Sequence, residues 1–301
     1  MIPEVVDIRD AFRLTQLGLE HRPHVVLHAA AHKHVPLMER NPEEAVKNNV
    51  LGCRNVILMA KAVSAERFVL ISTDKAVSPS SVMGATKRIA EMLVRHHAAG
   101  SSTSFAVVRF GNVLGSAGSV VPLFKSQIGK GGPVTITHPD CRRFLMTIRE
   151  AVGLTLLAGL GAEGDLLVLQ MGEQIRILDI ARVMISLAGY VPEREIAIVY
   201  TGLRPGEKLT ESLMSEEEER HSRTVRDGIV SVRSEAPPAD LEERVAELAN
   251  LALRADRAEI IRCIGRLIPD YTPPTAASIV IARDEEGNSP EAQLVAEVME
   301  E

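Results

Sequence analysis

The chain has 301 residues, 46% hydrophobic and 25% charged, which is long enough to bury a sizeable core and ordinary for a globular protein. A net charge of −6, no tryptophan and 3% aromatic residues provide neither a positive field nor stacking platforms, so a nucleic-acid partner is not expected. No apolar run reaches the ~18 residues that span a bilayer, and the first residues lack a signal-peptide pattern, which predicts a cytoplasmic protein.

Along the chain, short apolar runs alternate with helical periodicities. His24–Ala30 reads as a buried strand running into a small-residue turn, followed by a helix over Pro42–Ala62. Phe68–Ser72 is a second strand, Gly84–Ala99 a second helix and Ser104–Phe110 a third strand. Near-continuous apolar strands separated by helices predict an α/β fold with a doubly wound parallel sheet covered on both faces. Beyond Gly111 the spacing predicts helices over Val121–Ile128, Arg149–Ala158, Ile177–Ala188, Ala239–Leu253 and Asp256–Leu267. It predicts further strands over Val134–Thr137, Asp165–Met171 and Ile196–Tyr200. The expected organisation is a partial dinucleotide-binding domain over 1–115, a smaller α/β substrate lobe over 116–272 whose chain crosses back to the sheet, and a mobile polar tail over 273–301.

Cys53, Cys141 and Cys263 are far apart and lack metal-type spacing, so buried or half-buried thiols in a reducing compartment are expected, with no metal. The chemistry concentrates in Ile71-Ser72-Thr73-Asp74-Lys75-Ala76-Val77 and Ser81-Val82-Met83-Gly84-Ala85-Thr86-Lys87-Arg88. Thr73, Asp74 and Lys75 stand at the carboxyl end of a strand, where open parallel sheets bind ligands. Met83 and Lys87 are four apart at a helix start and share a face. Taken by themselves these residues equally suit a turn and helix cap with solvated lysines.

The two segments resemble extended short-chain dehydrogenases/reductases, which carry Ser or Thr at this strand end and Tyr-x-x-x-Lys on the next helix. Methionine here takes the tyrosine position, as it does in the Met-containing subgroup of bacterial UDP-N-acetylglucosamine 4,6-dehydratases of polysaccharide biosynthesis. The resemblance runs from about Asp7 to Thr272. Ala29, Ala30, Ala31, Lys33 and His34 lie in a segment similar to the family turn at the nicotinamide ribose, though three alanines also suit tight packing alone. Asp7 matches an aspartate that contacts adenine in relatives, and could otherwise cap a helix. Asn112, in Arg109-Phe110-Gly111-Asn112, matches an asparagine at the nucleotide sugar; Gly and Asn would also suit a plain turn.

Val120 and Lys125 fall in a segment similar to one lying along the nucleotide, and Arg143 matches the arginine of an Arg-Phe-x-Met-Thr element. Arg204 and Glu207 belong to Arg204-Pro205-Gly206-Glu207-Lys208-Leu209, a family loop whose arginine suits a diphosphate. Ala117 and Arg149 depart from the arginine and proline the family commonly has there.

The resemblance implies a 4,6-dehydratase using NAD or NADP on a UDP-sugar. In relatives the 4-hydroxyl is oxidised, the C-5 proton becomes acidic, water leaves from the 6-position and the hydride returns there. Lys87 would then favour ionisation of the 4-hydroxyl and hold the nicotinamide ribose, Thr73 would hydrogen-bond the 4-oxygen, and Met83 would pack without proton chemistry. Asp74 would protonate the departing 6-hydroxyl and Lys75 take the C-5 proton.

No G-x-G-x-x-G precedes His24, and Gly18 is the only glycine in the first fifty residues. Impaired dinucleotide binding, little or no activity of the isolated chain, an N-terminal truncation (with a split gene or a decayed enzyme as the alternatives) and a sheet with an open edge and uncovered apolar surface are therefore expected. The resemblance implies a homo-oligomer in the complete enzyme, with Pro42–Ala62 and Gly84–Ala99 as candidate contact helices, and membrane segments only upstream, in the larger family members. A nucleotide-sugar epimerase and a non-catalytic binding partner are the alternatives.

Overall fold

The computed structural model describes residues 1–116, 118–161 and 164–274. Ala117 and almost all of the expected polar tail lie outside the described residues. In chain order the elements are α1 (Ala11–His21), β1 (Val25–His28), α2 (Val35–Arg40), α3 (Pro42–Ala45), a π-helical stretch (Val46–Gly52), α4 (Cys53–Ala62), β2 (Arg67–Ile71), α5 (Val82–Ala98) and β3 (Ser104–Arg109). There follow β4 (Asn112–Val113), α6 (Val120–Gly129), β5 (Val134–Ile136), β6 (Arg142–Arg143), β7 (Leu145–Met146), α7 (Ile148–Gly161) and β8 (Leu166–Leu169). The remainder comprises β9 (Ile175–Arg176), α8 (Ile177–Leu187), β10 (Ile198–Tyr200), α9 (Glu216–Arg220), β11 (Ser222–Arg226), β12 (Ile229–Val232), α10 (Leu241–Leu253) and α11 (Arg257–Leu267).

Two compact units emerge, interleaved along the chain. The first comprises residues 1–110, 152–170 and 212–273. Its six-stranded sheet has the order β1-β2-β3-β8-β12-β11, with β1, β2, β3 and β8 parallel. Strand β12 pairs antiparallel with both β8 and β11, an addition to the all-parallel sheet the sequence predicts. On one face Val26, Phe68, Leu70, Phe105 and Val107 pack against α4, α5 and α10 in one continuous core. On the other, α7 comes so close that a Cβ on Gly159 would lie 2.7 Å from the Val69 side chain.

The edge strand β1 alternates exposed and buried residues, leaving Val25 and Leu27 39% and 50% exposed as the open-edge expectation has it. The expected Pro42–Ala62 helix is one helical run interrupted by a π turn. Helices α10 and α11 pack over the first part of this run. Leu241, Val245, Leu248 and Ile264 share the core with Ala45, Val46 and Val50, and Glu242 accepts from Arg54 at 2.7 Å and contacts His97 at 2.8 Å.

The second unit comprises 111–151 and 171–211 among the described residues. It has three two-stranded pairings, β4 with β7, β5 with β10 and β6 with β9. Phe124, Ile128, Val134, Ile136, Ile177, Ala181 and Ile185 form its core.

Candidate functional site

The first unit gathers five of the residues singled out in the sequence. After β2, Ser72 and Thr73 remain extended, and the chain tightens into a short 3₁₀ turn over Asp74–Ala76, capped by the Thr73 side chain. Strand β3 fastens this turn, since the Asp74 N–H donates to the Phe110 carbonyl at 3.0 Å. The Asp74 carboxylate is fully buried; its Oδ1 accepts from the Thr73 hydroxyl at 2.9 Å and pairs with the Lys75 ammonium at 3.0 Å. Its Oδ2 is buried and has no hydrogen-bond partner.

Helix α5 starts at a Ser81 cap whose hydroxyl accepts from the Gly84 N–H at 3.1 Å. It brings Met83 and Lys87 to the turn, both buried at 4% and 6% exposure. The contact is close enough that a Cβ on Gly84 would lie 2.2 Å from the Lys75 carbonyl oxygen. The Lys87 Nζ donates to the Ile71 carbonyl at 2.6 Å. Burial lowers the pKa of this ammonium, with Cys53 and Glu91 opposing the shift. All three cysteines are buried.

Ala29, Ala30 and Ala31 follow β1 in the loop leading to Lys33 and to His34, which immediately precedes α2. Asn49, buried in the π-helical stretch, grips that loop: its Oδ1 accepts from the His32 N–H at 2.7 Å and its Nδ2 donates to the His32 carbonyl at 3.0 Å. The same Nδ2 reaches the Thr86 hydroxyl at 3.1 Å, beside Lys87. Asp7 stays exposed and accepts from Arg9 at 2.6 Å, and those hydrogen bonds hold its carboxyl down at about 2.

In the second unit Asn112 sits in β4 with its N–H donating to the Phe144 carbonyl at 3.1 Å. Val120 opens α6, and Lys125 is exposed on the same helix. Arg143 is buried, with Nη1 donating to the carbonyls of Arg142 at 2.7 Å and Leu209 at 3.2 Å. Arg204 turns back on Glu207 within its own loop at 2.8 Å. Burial opposes ionisation of Glu207, but the hydrogen bond and charge of Arg204, with Arg143 adding to them, keep its carboxyl below the ordinary value.

Residue spacing alone did not single out Asn49, Glu39, Glu91, Arg109 or Glu218. Glu39 accepts from the Val82 N–H at the start of α5 at 2.6 Å, and burial pushes its carboxyl up to about 7. Among the described residues no His, Cys, Asp and Glu cluster could hold a metal, and no helix is long and apolar enough to cross a membrane.

The parallel sheet flanked by helices, with Thr73 at a strand end and Met83 and Lys87 on the helix that follows, is a Rossmann-type α/β fold. The chain belongs to the polysaccharide biosynthesis protein family, whose profile matches residues 1–233. It is 55% identical over 216 residues to the probable polysaccharide biosynthesis protein EpsC of Bacillus subtilis, covering 71% of this chain and 36% of that protein. It thus spans little more than a third of that relative's length. Against the UDP-glucose 4-epimerase of Rickettsia canadensis it is 42% identical over 197 residues, 64% of this chain and 56% of that enzyme. Pen from Bacillus thuringiensis superposes with a TM-score of 0.70 at 36% identity, covering 83% of this chain and 81% of that one. A Thermus thermophilus UDP-glucose 4-epimerase solved with NAD gives 0.62 at 23% identity over 70% of this chain and 75% of that one, a likeness of fold alone.

Proposed function

We propose that the chain carries the catalytic unit of a nucleotide-sugar 4,6-dehydratase acting on UDP-N-acetylglucosamine with NAD or NADP. The observation that carries the reading is the Asp74–Lys75 pair beside Thr73: a buried carboxylate with one engaged oxygen and one unengaged, 3.0 Å from an ammonium. Transfer of one proton along that contact turns the ion pair into a carboxylic acid and an amine, the combination an elimination across the 5- and 6-positions requires. Lys75 then takes the C-5 proton while Asp74 gives its own to the departing 6-hydroxyl, which leaves as water. The residues finish as carboxylate and ammonium, so the pair resets itself.

The small side chains at Ala29–Ala31, the His32 peptide held by Asn49 and the buried Lys87 ammonium fit a nicotinamide ribose. The bound dinucleotide supplies a hydride acceptor for the 4-position and a donor for the 6-position. Thr73 orients the 4-oxygen. Lys87, more acidic than an ordinary lysine because of burial, stabilises negative charge developing there. Met83 supplies an apolar wall in place of a phenol. In the second unit Asn112, Val120, Lys125, Arg143, Arg204 and Glu207 are the proposed nucleotide-sugar contacts, together with His34 of the first.

The test is mass spectrometry of UDP-N-acetylglucosamine incubated with the protein and NAD⁺ or NADP⁺ in large excess, which offsets the impaired dinucleotide binding expected of this chain. Loss of one water supports dehydration. Asp74→Asn and Lys75→Ala should each lower the rate by about 10²- to 10⁴-fold, and full turnover in either variant refutes the assignment. The identity to the Rickettsia enzyme favours epimerisation as the second reading; a product of unchanged mass would identify it.

A further inference from the structure

Beneath the Thr73–Lys75 turn lies a set of charges that the proposed chemistry does not use. Arg109, Glu91 and Glu218 are 0%, 1% and 4% exposed. The Arg109 guanidinium meets Glu91 through two hydrogen bonds, Nε to Oε1 at 3.1 Å and Nη2 to Oε2 at 2.7 Å. Its Nη1 donates to Glu218 at 2.8 Å and to the Leu213 carbonyl at 3.1 Å. Arg88 joins the two acids from outside, at 3.1 Å from Glu91 and 3.3 Å from Glu218. Glu91 Oε1 also accepts from the Ser72 hydroxyl at 2.6 Å.

Stability alone is a weak account of this arrangement, because apolar side chains of similar volume commonly do as well in such a place. Its connections explain more. Glu91 is one helical turn beyond Lys87 on α5, and Ser72 immediately precedes Thr73, so one carboxylate ties the lysine's helix to the threonine's strand end. Arg109 stands just before the chain leaves the first unit after Phe110, and Leu213 just after it returns at Ser212. Glu218 is fixed in turn by a reciprocal capping box with Ser215.

We propose that Glu91, Arg109 and Glu218 form a positioning clamp that holds Thr73 and Lys87 at a fixed separation and fastens the returning segment 213–218 to the strand carrying Arg109. The catalytic half of this proposal rests on the assignment of Thr73 and Lys87 above; the mechanical half does not. Removing Glu91 or Arg109 strands a buried charge and threatens folding, so milder changes are the informative ones. Ser72→Ala deletes a single hydrogen bond to Glu91 and leaves every ion pair in place. Glu218→Gln preserves shape and can keep the capping box while removing one charge.

Hydrogen–deuterium exchange of the 301-residue chain and these two variants is the deciding measurement, run beside turnover of UDP-N-acetylglucosamine. Ser72→Ala should speed exchange in 71–77, and Glu218→Gln in both 71–77 and 212–220, with α10 and α11 unchanged in each. The Ser72→Ala rate constant should fall about tenfold with KM altered by less than about twofold, as loss of positioning requires. Exchange in 71–77 that stays at the wild-type rate in both variants, or that rises evenly throughout the first unit, overturns the clamp. Faster local exchange with undiminished kcat overturns its catalytic half. If the wild-type chain yields no dehydrated product even at saturating dinucleotide, the dehydratase reading fails, and the exchange comparison still decides the clamp.

Discussion

At the scale of single residues, chemistry that depends on spacing was readable and chemistry that depends on burial was not. Thr73 and Lys87 stand out because a strand end and an i, i+4 helical face are properties of the sequence itself. Arg109 and Glu91 look like ordinary charges until the sheet closes over them, although an arginine ending the apolar run Phe105–Val108 is itself a sign of a buried cation. Gly84 belongs to the same scale. Only a hydrogen fits between α5 and the Lys75 carbonyl, where a Cβ would approach to 2.2 Å. Because backbone stands on both sides of that contact, Gly84→Ala must push helix and turn apart, costing roughly 1–3 kcal/mol in stability and displacing Asp74 and Lys75 from Lys87. A lowered melting temperature together with lost turnover is the expected result. An alanine variant that melts and turns over like the parent would show that the contact is not tight.

At the scale of elements, apolar runs locate every parallel strand of the large sheet: β2, β3 and β8 are buried on both faces and need no alternation to be seen, and β1 is apolar through Leu27 although one of its faces is exposed. Apolar runs alone do not mark the β11–β12 hairpin, although Asp227-Gly228 lies between its strands and Gly228 adopts a φ of 72°. A D-G pair flanked by β-branched residues is a recognised hairpin signal. Helix α1, with its Asp10 cap and the close approach of Gly18 to Met59, was likewise legible only in retrospect. The start of α5 supplies a pH dependence of its own. The folded state keeps a proton on Glu39 up to about pH 7, whereas an unperturbed carboxyl of this kind releases it at 4.5. The folded protein therefore holds more proton across that window, and the stability this group contributes falls as pH rises through it. Glutamine can still accept from the Val82 N–H and never ionises. Glu39→Gln should match the wild type below pH 4.5 and gain on it steadily up to about pH 7. Melting curves across the range test this; a constant offset between the two proteins counts against a buried, proton-holding Glu39.

At the scale of the whole molecule, the family match ends at residue 233, and α10 and α11 lie beyond it. Sequence periodicity placed both helices but could not say what they cover. Leu241, Val245 and Leu248 of α10 share a core with Val46 and Val50, and Glu242 joins Arg54 and His97 beneath them, so the pair is continuous with the core of the first unit. A continuous core implies a single cooperative transition for that unit, in which a cavity under α10 costs as much as one under the sheet. Leu248 and Phe68 are both fully buried. Leu248→Ala should cost about 2–5 kcal/mol and Phe68→Ala about 3–5 kcal/mol, each as a shift of the same denaturant midpoint with little change in slope. A Leu248→Ala protein that keeps the wild-type midpoint, or that loses α10 and α11 in a separate earlier transition, would mean that the helical pair is an appended element and that the sheet and α1–α5 fold without it.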